Sequence, residues 1–289
     1  MIQDIFPKKL DNSFQKKMPT ETSCVVAFQE NAIYINMEKQ IKYLTCGEFW
    51  SACENLHMEI PQCVYLFSID ATDYFLTEIP EGLIISGFAF HKMFETRAMR
   101  PKERVLAAAT AWHLYVWYRD NKHCGRCGST LVHSDKLRML KCPCCGNMVF
   151  PKIAPAVIVA VTDGDKILVT KYANREYKKY ALIAGFTEIG ETAEETVARE
   201  VMEEVGLKVK NIRYYKSQPW GFDSNLLLGY FCELDGKKKI HMDEDELSVA
   251  EWISGDEIPD DPEGLSLTRE MMTQFRESIQ QFAENKQDK

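Results

Sequence analysis

The 289-residue chain has no apolar run approaching the roughly 18 residues that a membrane-spanning helix needs. That argues against an integral membrane helix. The opening Met1-Ile2-Gln3-Asp4 supplies no basic segment followed by an apolar stretch, so no secretory signal is expected, and the chain is expected to be cytoplasmic. An excess of positive charge is also missing. Thirty-five Lys and Arg face 43 Asp and Glu, for a formal net charge of -8. This argues against reliance on nonspecific nucleic-acid affinity, while leaving room for a locally basic groove. Internal repeats and long low-complexity segments are absent too. What remains is 45% hydrophobic, enough for a proper core, at a length that suits two domains or one domain with additions.

Cysteine is plentiful, but not in the manner of a secreted disulfide scaffold. Five of the ten cysteines, Cys24, Cys46, Cys53, Cys63 and Cys232, are scattered among apolar neighbours and read as small buried hydrophobes. The other five cluster. Cys124-Gly-Arg-Cys127-Gly is followed by Cys142-Pro-Cys144-Cys145-Gly, a C-x2-C-x14-C-x2-C spacing. Two thiolate pairs on tight turns make a closed tetrahedral site for one structural Zn(II). Gly128 and Gly146 each follow a second cysteine, where the backbone must turn sharply under the metal. That symmetry selects Cys124, Cys127, Cys142 and Cys145 as ligands and leaves Cys144 as a spare thiol.

Most of the chemistry is carried by Gly185 to Leu207, GFTEIGETAEETVAREVMEEVGL. Thr192 and Glu195 have the form of a capping box, and Gly206 is a stop signal, so the segment between reads as a helix. Val197, Val201 and Val205 form its apolar stripe. Glu200, Glu203 and Glu204 lie on another arc, at i,i+3 and i,i+4 spacing, so all three can point at one place. Like charges so spaced repel by a few tenths of a kcal/mol, and a bound cation would reverse the sign. A glycine-rich loop running into such a helix is suited to holding hard divalent cations against a diphosphate.

Around these motifs the chain divides into three expected parts. Residues 1–120 form an N-terminal α+β domain, with strands expected at Cys63–Ile69, Tyr74–Glu78 and Gly82–Phe90 and a helix at Pro101–Asp120. Residues 121–151 are the ribbon, and residues 152–289 the catalytic domain. In the last part, Ala156–Thr162 and Ile167–Tyr172 read as strands joined by an Asp163-Gly164 hairpin turn. Tyr180–Phe186, Val209–Tyr215, Leu226–Leu234 and Ala250–Ile253 read as further strands, and a closing helix starts at Leu267. Ser217-Gln218-Pro219-Trp220-Gly221-Phe222 sits between two strands. Its aromatic faces suit either stacking on a nicotinamide or adenine ring or a place in the core.

The glutamate segment matches the Nudix box, G-x5-E-x7-R-E-U-x-E-E-x-G-U with U apolar, at every specified position. With the cysteine ribbon upstream, Ile153-Ala-Pro-Ala156 and Ser217-Gln-Pro-Trp220, residues 97–283 resemble the NAD(H) pyrophosphatase family of Nudix hydrolases, also called NAD-capped RNA hydrolases. The resemblance implies an α+β fold class: a Nudix α/β/α sandwich preceded by a four-cysteine zinc ribbon and an N-terminal α+β domain. It implies Mg(II) or Mn(II) held by Glu200, Glu203, Glu204 and Glu246 and by the carbonyl of Ala184, with Arg199 orienting a glutamate. The implied substrate-binding residues are Phe150, Gln218, Pro219, Trp220, Gly221, Phe222, Asp223, Ser224, Asn225 and Arg97. The implied reaction is water attack on the diphosphate of NAD(H), giving nicotinamide mononucleotide and AMP, with either Glu203 or Glu246 taking the proton. NAD caps of RNA are a second implied substrate, and a homodimer the implied assembly. Where the family motif reads SQPWPFPxS, this chain has Gly221 and Asp223 in place of prolines and Asn225 in place of the last serine. Two rival readings remain. One is a Nudix hydrolase of another nucleoside diphosphate such as ADP-ribose; the other is an RNA- or nucleotide-binding sensor, against which the intact glutamate set argues.

Overall fold

A computed structural model describes residues 1–173 and 179–287 of the chain. It divides into two compact units, one of residues 2–152 with 221–224, the other of residues 153–220 and 225–289 with residue 1.

In the N-terminal unit a five-stranded sheet runs in the order Leu10–Asp11, Val64–Ile69, Thr72–Leu76, Cys24–Val26, Leu44–Thr45. A second sheet joins Phe28–Gln29, Ala32–Ile35 and Ala89–Lys92. Helix α1, Cys46–Asn55, starts at a capping box in which Thr45 and Glu48 satisfy each other's backbone amides. It buries Cys46, Phe49 and Cys53 against Val25, Tyr34 and Leu44. Helix α2, Lys102–Asp120, follows Pro101, whose ring suits a helix start. Of the strands expected here, Gly82–Phe90 is not one. Strand structure begins only at Ala89, and Leu83, Ile85 and Phe88 pack from a turn-rich loop onto the Tyr34 cluster. Of that apolar run only Leu83 is buried, with Ile85 and Phe88 partly so and Ile84 exposed, and periodicity alone cannot tell such a loop from a strand.

The same unit holds the ribbon, a three-stranded antiparallel sheet of Val132–His133, Leu140–Lys141 and Met148–Val149. Cys124 and Cys142 are buried with Trp117, Leu131 and Leu140.

The C-terminal unit is built on a mixed sheet. We label its strands β1 (Ala154–Asp163), β2 (Lys166–Tyr172), β3 (Ile183–Phe186), β4 (Val209–Trp220), β5 (Asn225–Leu234) and β6 (Leu247–Ser254). The order is β4-β5-β1-β2-β6, with β3 also pairing β1. The β1–β5 pair is parallel; the others are antiparallel. β1 and β2 form the expected hairpin, Thr162 opposite Ile167. β4 is longer than its sequence suggests. Pairing of Ser217 with Leu228 and of Trp220 with Asn225 carries the strand through the whole Ser-Gln-Pro-Trp segment.

Two helices cover this sheet. Helix α3, Ala193–Val205, lays Val197, Val201 and Val205 on Val157, Val159, Val161, Tyr230 and Cys232. Each valine so buried stabilises the fold by about 1.5–3 kcal/mol. Alternate residues of a strand face opposite sides. Accordingly, the side of Gly229 lies away from Tyr230, and a Cβ there would meet Met271 and Leu267 of helix α4, Leu267–Gln287. The unit is therefore an α/β/α sandwich. Among the described residues, no helix is long and apolar enough to cross a membrane.

Candidate active site and metal centre

The glutamate helix is fixed at both ends by its own residues. Thr192 Oγ1 accepts from the Glu195 amide at 3.2 Å, and Glu195 Oε2 accepts from the Thr192 amide at 2.8 Å. At the other end the Gly206 amide donates to Met202 O at 3.0 Å. The turn leading to β6 is tied to the same end: His241 N donates to Val205 O and Asp243 N to Glu204 O, both at 2.9 Å. This brings Glu246, exposed just before β6, close enough to Glu200 for their charges to interact.

Strand β3 passes along the carboxylate face of α3. The Ala184 amide donates to Glu204 Oε1 at 3.3 Å, and Glu204 is buried. Gly185 is the place where the strand comes closest to Glu200. A Cβ there would stand 1.8 Å from the Glu200 carboxyl carbon and 2.0 Å from Oε1. The carboxylate occupies the space that any other residue would fill.

Arg199 organises the rest. Its Nε and Nη2 form a fork with the two oxygens of Glu191, at 2.6 and 2.9 Å. Nη1 reaches Glu200 at 2.7 Å and Glu203 at 2.9 Å, and Nη2 also donates to the Phe186 carbonyl at 2.8 Å. Such bidentate pairing fixes direction as well as charge. The Arg199 guanidinium, with help from the Glu188 amide, holds Glu191 down at about 2. Glu200 goes the other way. Burial raises it, Arg199 opposes that, and the charges of Glu203 and Glu246 add to the rise. A carboxylate crowded by others gains from a cation at the same place. Glu203 is 58% exposed at its side chain, Glu200 only 12%.

The four ribbon thiols converge as well. The Sγ atoms of Cys124, Cys127, Cys142 and Cys145 all lie within 4.8 Å of one another, and Cys144, which is exposed, is outside the group. Cys124–Cys145 and Cys127–Cys142 are 3.6 and 3.4 Å apart, close to the roughly 3.8 Å edge of a tetrahedron with Zn–S bonds of about 2.3 Å. The two knuckles match. The amides of Gly128 and Gly146 donate to the carbonyls of Cys124 and Cys142, each glycine at positive φ. The amides of Arg126 and Cys145 each point at the first sulfur of their pair at 3.4 Å. The Arg126 amide lowers the Cys124 thiol and Ser129 lowers Cys127 to about 6, whereas Cys145, despite a backbone bond to Asn147, is pushed up to about 12 by burial and the three neighbouring sulfurs.

The residues expected around a substrate divide. Trp220 is 8% exposed at the end of β4. Gln218 is fully buried, its Nε2 donating to Leu265 O at 2.9 Å and its Oε1 accepting from the Leu267 amide at 2.7 Å. Its amide group is thus committed to the chain leading into α4. Asn225 is buried, Ser224 and Phe222 half-buried, and Pro219 and Asp223 exposed; Gly221 is buried. Phe150 is exposed at the end of the ribbon. Arg97, half-buried in the 3-10 turn Met93–Ala98, lies 5.0 Å from the Phe94 ring and 6.0 Å from that of Phe222. Sequence reasoning did not single out Phe94, Trp112 or Asp243. Trp112 and Phe94 stand in stretches with no motif, and Asp243 acts through its backbone.

With this geometry in place, the comparisons fall into line. Residues 152–275 match the NUDIX domain. A relative from Pseudomonas aeruginosa, NAD-capped RNA hydrolase NudC, is 33% identical over 198 residues, 68% of this chain and 71% of that one. The chain belongs to the Nudix family. An Escherichia coli relative, also NAD-capped RNA hydrolase NudC, is 41% identical over 146 residues, 50% of this chain and 56% of its own. A Nudix hydrolase structure from Nitrosomonas europaea aligns with a TM-score of 0.41 and 25% identity, covering 48% of this chain and 80% of that one. In Nudix terms, Gly185, Glu191, Arg199, Glu200, Glu203, Glu204 and Gly206 are the box, and α3 is the Nudix helix.

Proposed function

We propose that this chain hydrolyses the diphosphate of NAD(H), giving nicotinamide mononucleotide and AMP, and removes NAD caps from RNA. The observation that carries the reading is that Arg199 holds Glu200 and Glu203 where α3 meets β3, Gly185 opens the space for the Glu200 carboxylate, and the Ala184 amide holds the buried Glu204 beside them. The relatives named as NAD-capped RNA hydrolases support the substrate class.

The donor set fits the family's metals. Four carboxylates and the Ala184 carbonyl are hard oxygen ligands of the kind Mg(II) and Mn(II) take. When bound, such ions supply Lewis-acid activation of the diphosphate and acidify the attacking water. The four thiols fit one structural Zn(II), with no position left open for catalysis.

The chain's own residues do the rest. Arg199, locked to Glu191, keeps Glu200 and Glu203 from turning away from the site. The Ala184 amide fixes Glu204 in its buried position. Of the two exposed glutamates, Glu203 gives one oxygen to Arg199, whereas the Glu246 side chain makes no hydrogen bond among the described residues. That supports Glu246 as the acceptor of the proton released by the attacking water. Its carboxylate takes that proton while the oxygen joins phosphorus and the bridging P–O bond breaks.

The base-recognition segment is Gly221 to Asn225, with Trp220 before it. Here one observation favours a second reading. The recognition segment departs from the family motif at Gly221, Asp223 and Asn225, a change that bears on specificity and favours considering another nucleoside diphosphate such as ADP-ribose. Side-by-side rates with NADH, NAD, ADP-ribose and NAD-capped RNA, in Mg(II) and in Mn(II), separate the two. Highest kcat/KM on NADH, NAD or the capped RNA supports the proposal; highest kcat/KM on ADP-ribose replaces it. The same reading makes the chain a cytoplasmic homodimer; sedimentation of the purified protein checks the two-chain assembly.

A further inference from the structure

Gly221 opens a one-turn 3-10 segment, Gly221–Asp223, which groups with the N-terminal unit rather than with the strands on either side of it. Within that unit it rests on α2. A Cβ built on Gly221 would stand 2.1 Å from the Ala109 carbonyl oxygen and 2.6 Å from its carbon. Those are backbone atoms in the interior of a 19-residue helix, so nothing there can rotate aside. Any residue other than glycine, the proline of the resembled motif included, would lift the turn off the helix.

One residue on, Trp112 closes the attachment. Its indole Nε1 donates to the Phe222 carbonyl at 3.2 Å, across 110 positions of sequence. The indole is itself held in an aromatic cluster, 5.3 Å from Phe28 in an edge-on contact and 5.5 Å from Tyr115. The Phe222 ring has the Arg97 guanidinium 6.0 Å from its centroid. The backbone of Phe222 is therefore fixed by α2, and its half-buried ring stands at that distance from Arg97.

We infer that Trp112 is a positioning residue for the dinucleotide. Acting through the Phe222 carbonyl, with Gly221 permitting the close approach, α2 sets where the Phe222 ring stands and so sets affinity for the substrate's base without touching it. This rests on the reading that Gly221–Asn225 recognises NAD(H). Preorganisation of this kind belongs to binding rather than to the metal chemistry, so it shows in KM.

The test is steady-state kinetics on NADH for the wild-type chain, Trp112→Phe and Gly221→Ala, with thermal melting and zinc content measured alongside. Trp112→Phe keeps an aromatic ring beside Phe28 and Tyr115 and removes the Nε1 donor together with part of the indole, whose packing loss the melting measurement reads. Its KM is expected to rise about fivefold, the scale of one neutral hydrogen bond, with kcat little changed. Gly221→Ala displaces the turn and is expected to lower kcat/KM by about tenfold or more. Wild-type KM in Trp112→Phe, or a loss confined to kcat, overturns the inference. No NADH hydrolysis by the wild-type chain overturns the NAD(H) reading, and the inference falls with it.

Discussion

The carboxylate of Glu200 occupies the volume that a side chain at position 185 would need: a Cβ on Gly185 would stand 1.8 Å from its carboxyl carbon. The strand and the Nudix helix can therefore meet at this point only through glycine. Gly185→Ala should expel Glu200 from its place and reduce kcat at least about 100-fold, while the valine face of α3 stays packed. Circular dichroism and melting should stay near wild type. Unimpaired turnover in the alanine variant would show that Glu200 does not work from this position.

Zinc content separates the two adjacent thiols of the ribbon. Cys142→Ser should lose the metal and loosen the cluster of Trp117, Leu131 and Leu140, because metal binding is folding energy there. Cys144→Ser should keep about one zinc per chain, the count for a single four-cysteine site. Metal lost in Cys144→Ser and kept in Cys145→Ser would reverse the ligand assignment.

Acid stability reports on the Glu191–Arg199 fork. Glu191 sits at about 2 in the folded chain, below its ordinary 4.5, because Arg199 favours its charged form. A group lowered on folding contributes stability above its unfolded pKa and loses it as pH falls through its folded one. Glu191→Gln should therefore be less stable than wild type above pH 4.5, with the gap closing between 4.5 and about 2. A gap in unfolding midpoint that stays constant across this window would place the effect of the substitution elsewhere.

Trp220 should matter to the fold as well as to the substrate. At 8% exposure it is largely enclosed at the end of β4. Trp220→Ala should cost about 3–5 kcal/mol of stability, as a truncated buried aromatic does, and should also raise KM for NADH. Chemical denaturation showing wild-type stability would mean that its enclosure adds nothing to the fold.

Much of this was legible from the chain alone where the determinants are local. The Thr192–Glu195 box, the valine stripe and Gly206 mark out α3 within thirteen helical residues, and the cysteine knuckles carry their own glycines. The α/β/α layering follows from strand alternation once α3 is in place. What could not be read depends on partners distant in sequence. β4 extends to Trp220 because β5 pairs with it, and Gln218 is buried because Leu265 and Leu267 accept and donate to it. Trp112 gives no signal at all, since its bond to Phe222 spans 110 residues. Gly82–Phe90 misleads because a loop that anchors through Leu83, Ile85 and Phe88 is as apolar in sequence as a strand.

The most direct test of the central claim is product analysis. The wild-type chain and Glu204→Gln are incubated with NADH and Mg(II) or Mn(II), and the products are separated by chromatography. Replacing the buried carboxylate proposed as a metal ligand by a neutral group of the same volume should leave the fold and remove nearly all turnover. The account predicts equal amounts of reduced nicotinamide mononucleotide and AMP from wild type, and almost none from the variant. NADH left intact by the wild-type chain, or turnover in Glu204→Gln within about threefold of wild type, less than the tenfold that corresponds to ~1.4 kcal/mol, would contradict it.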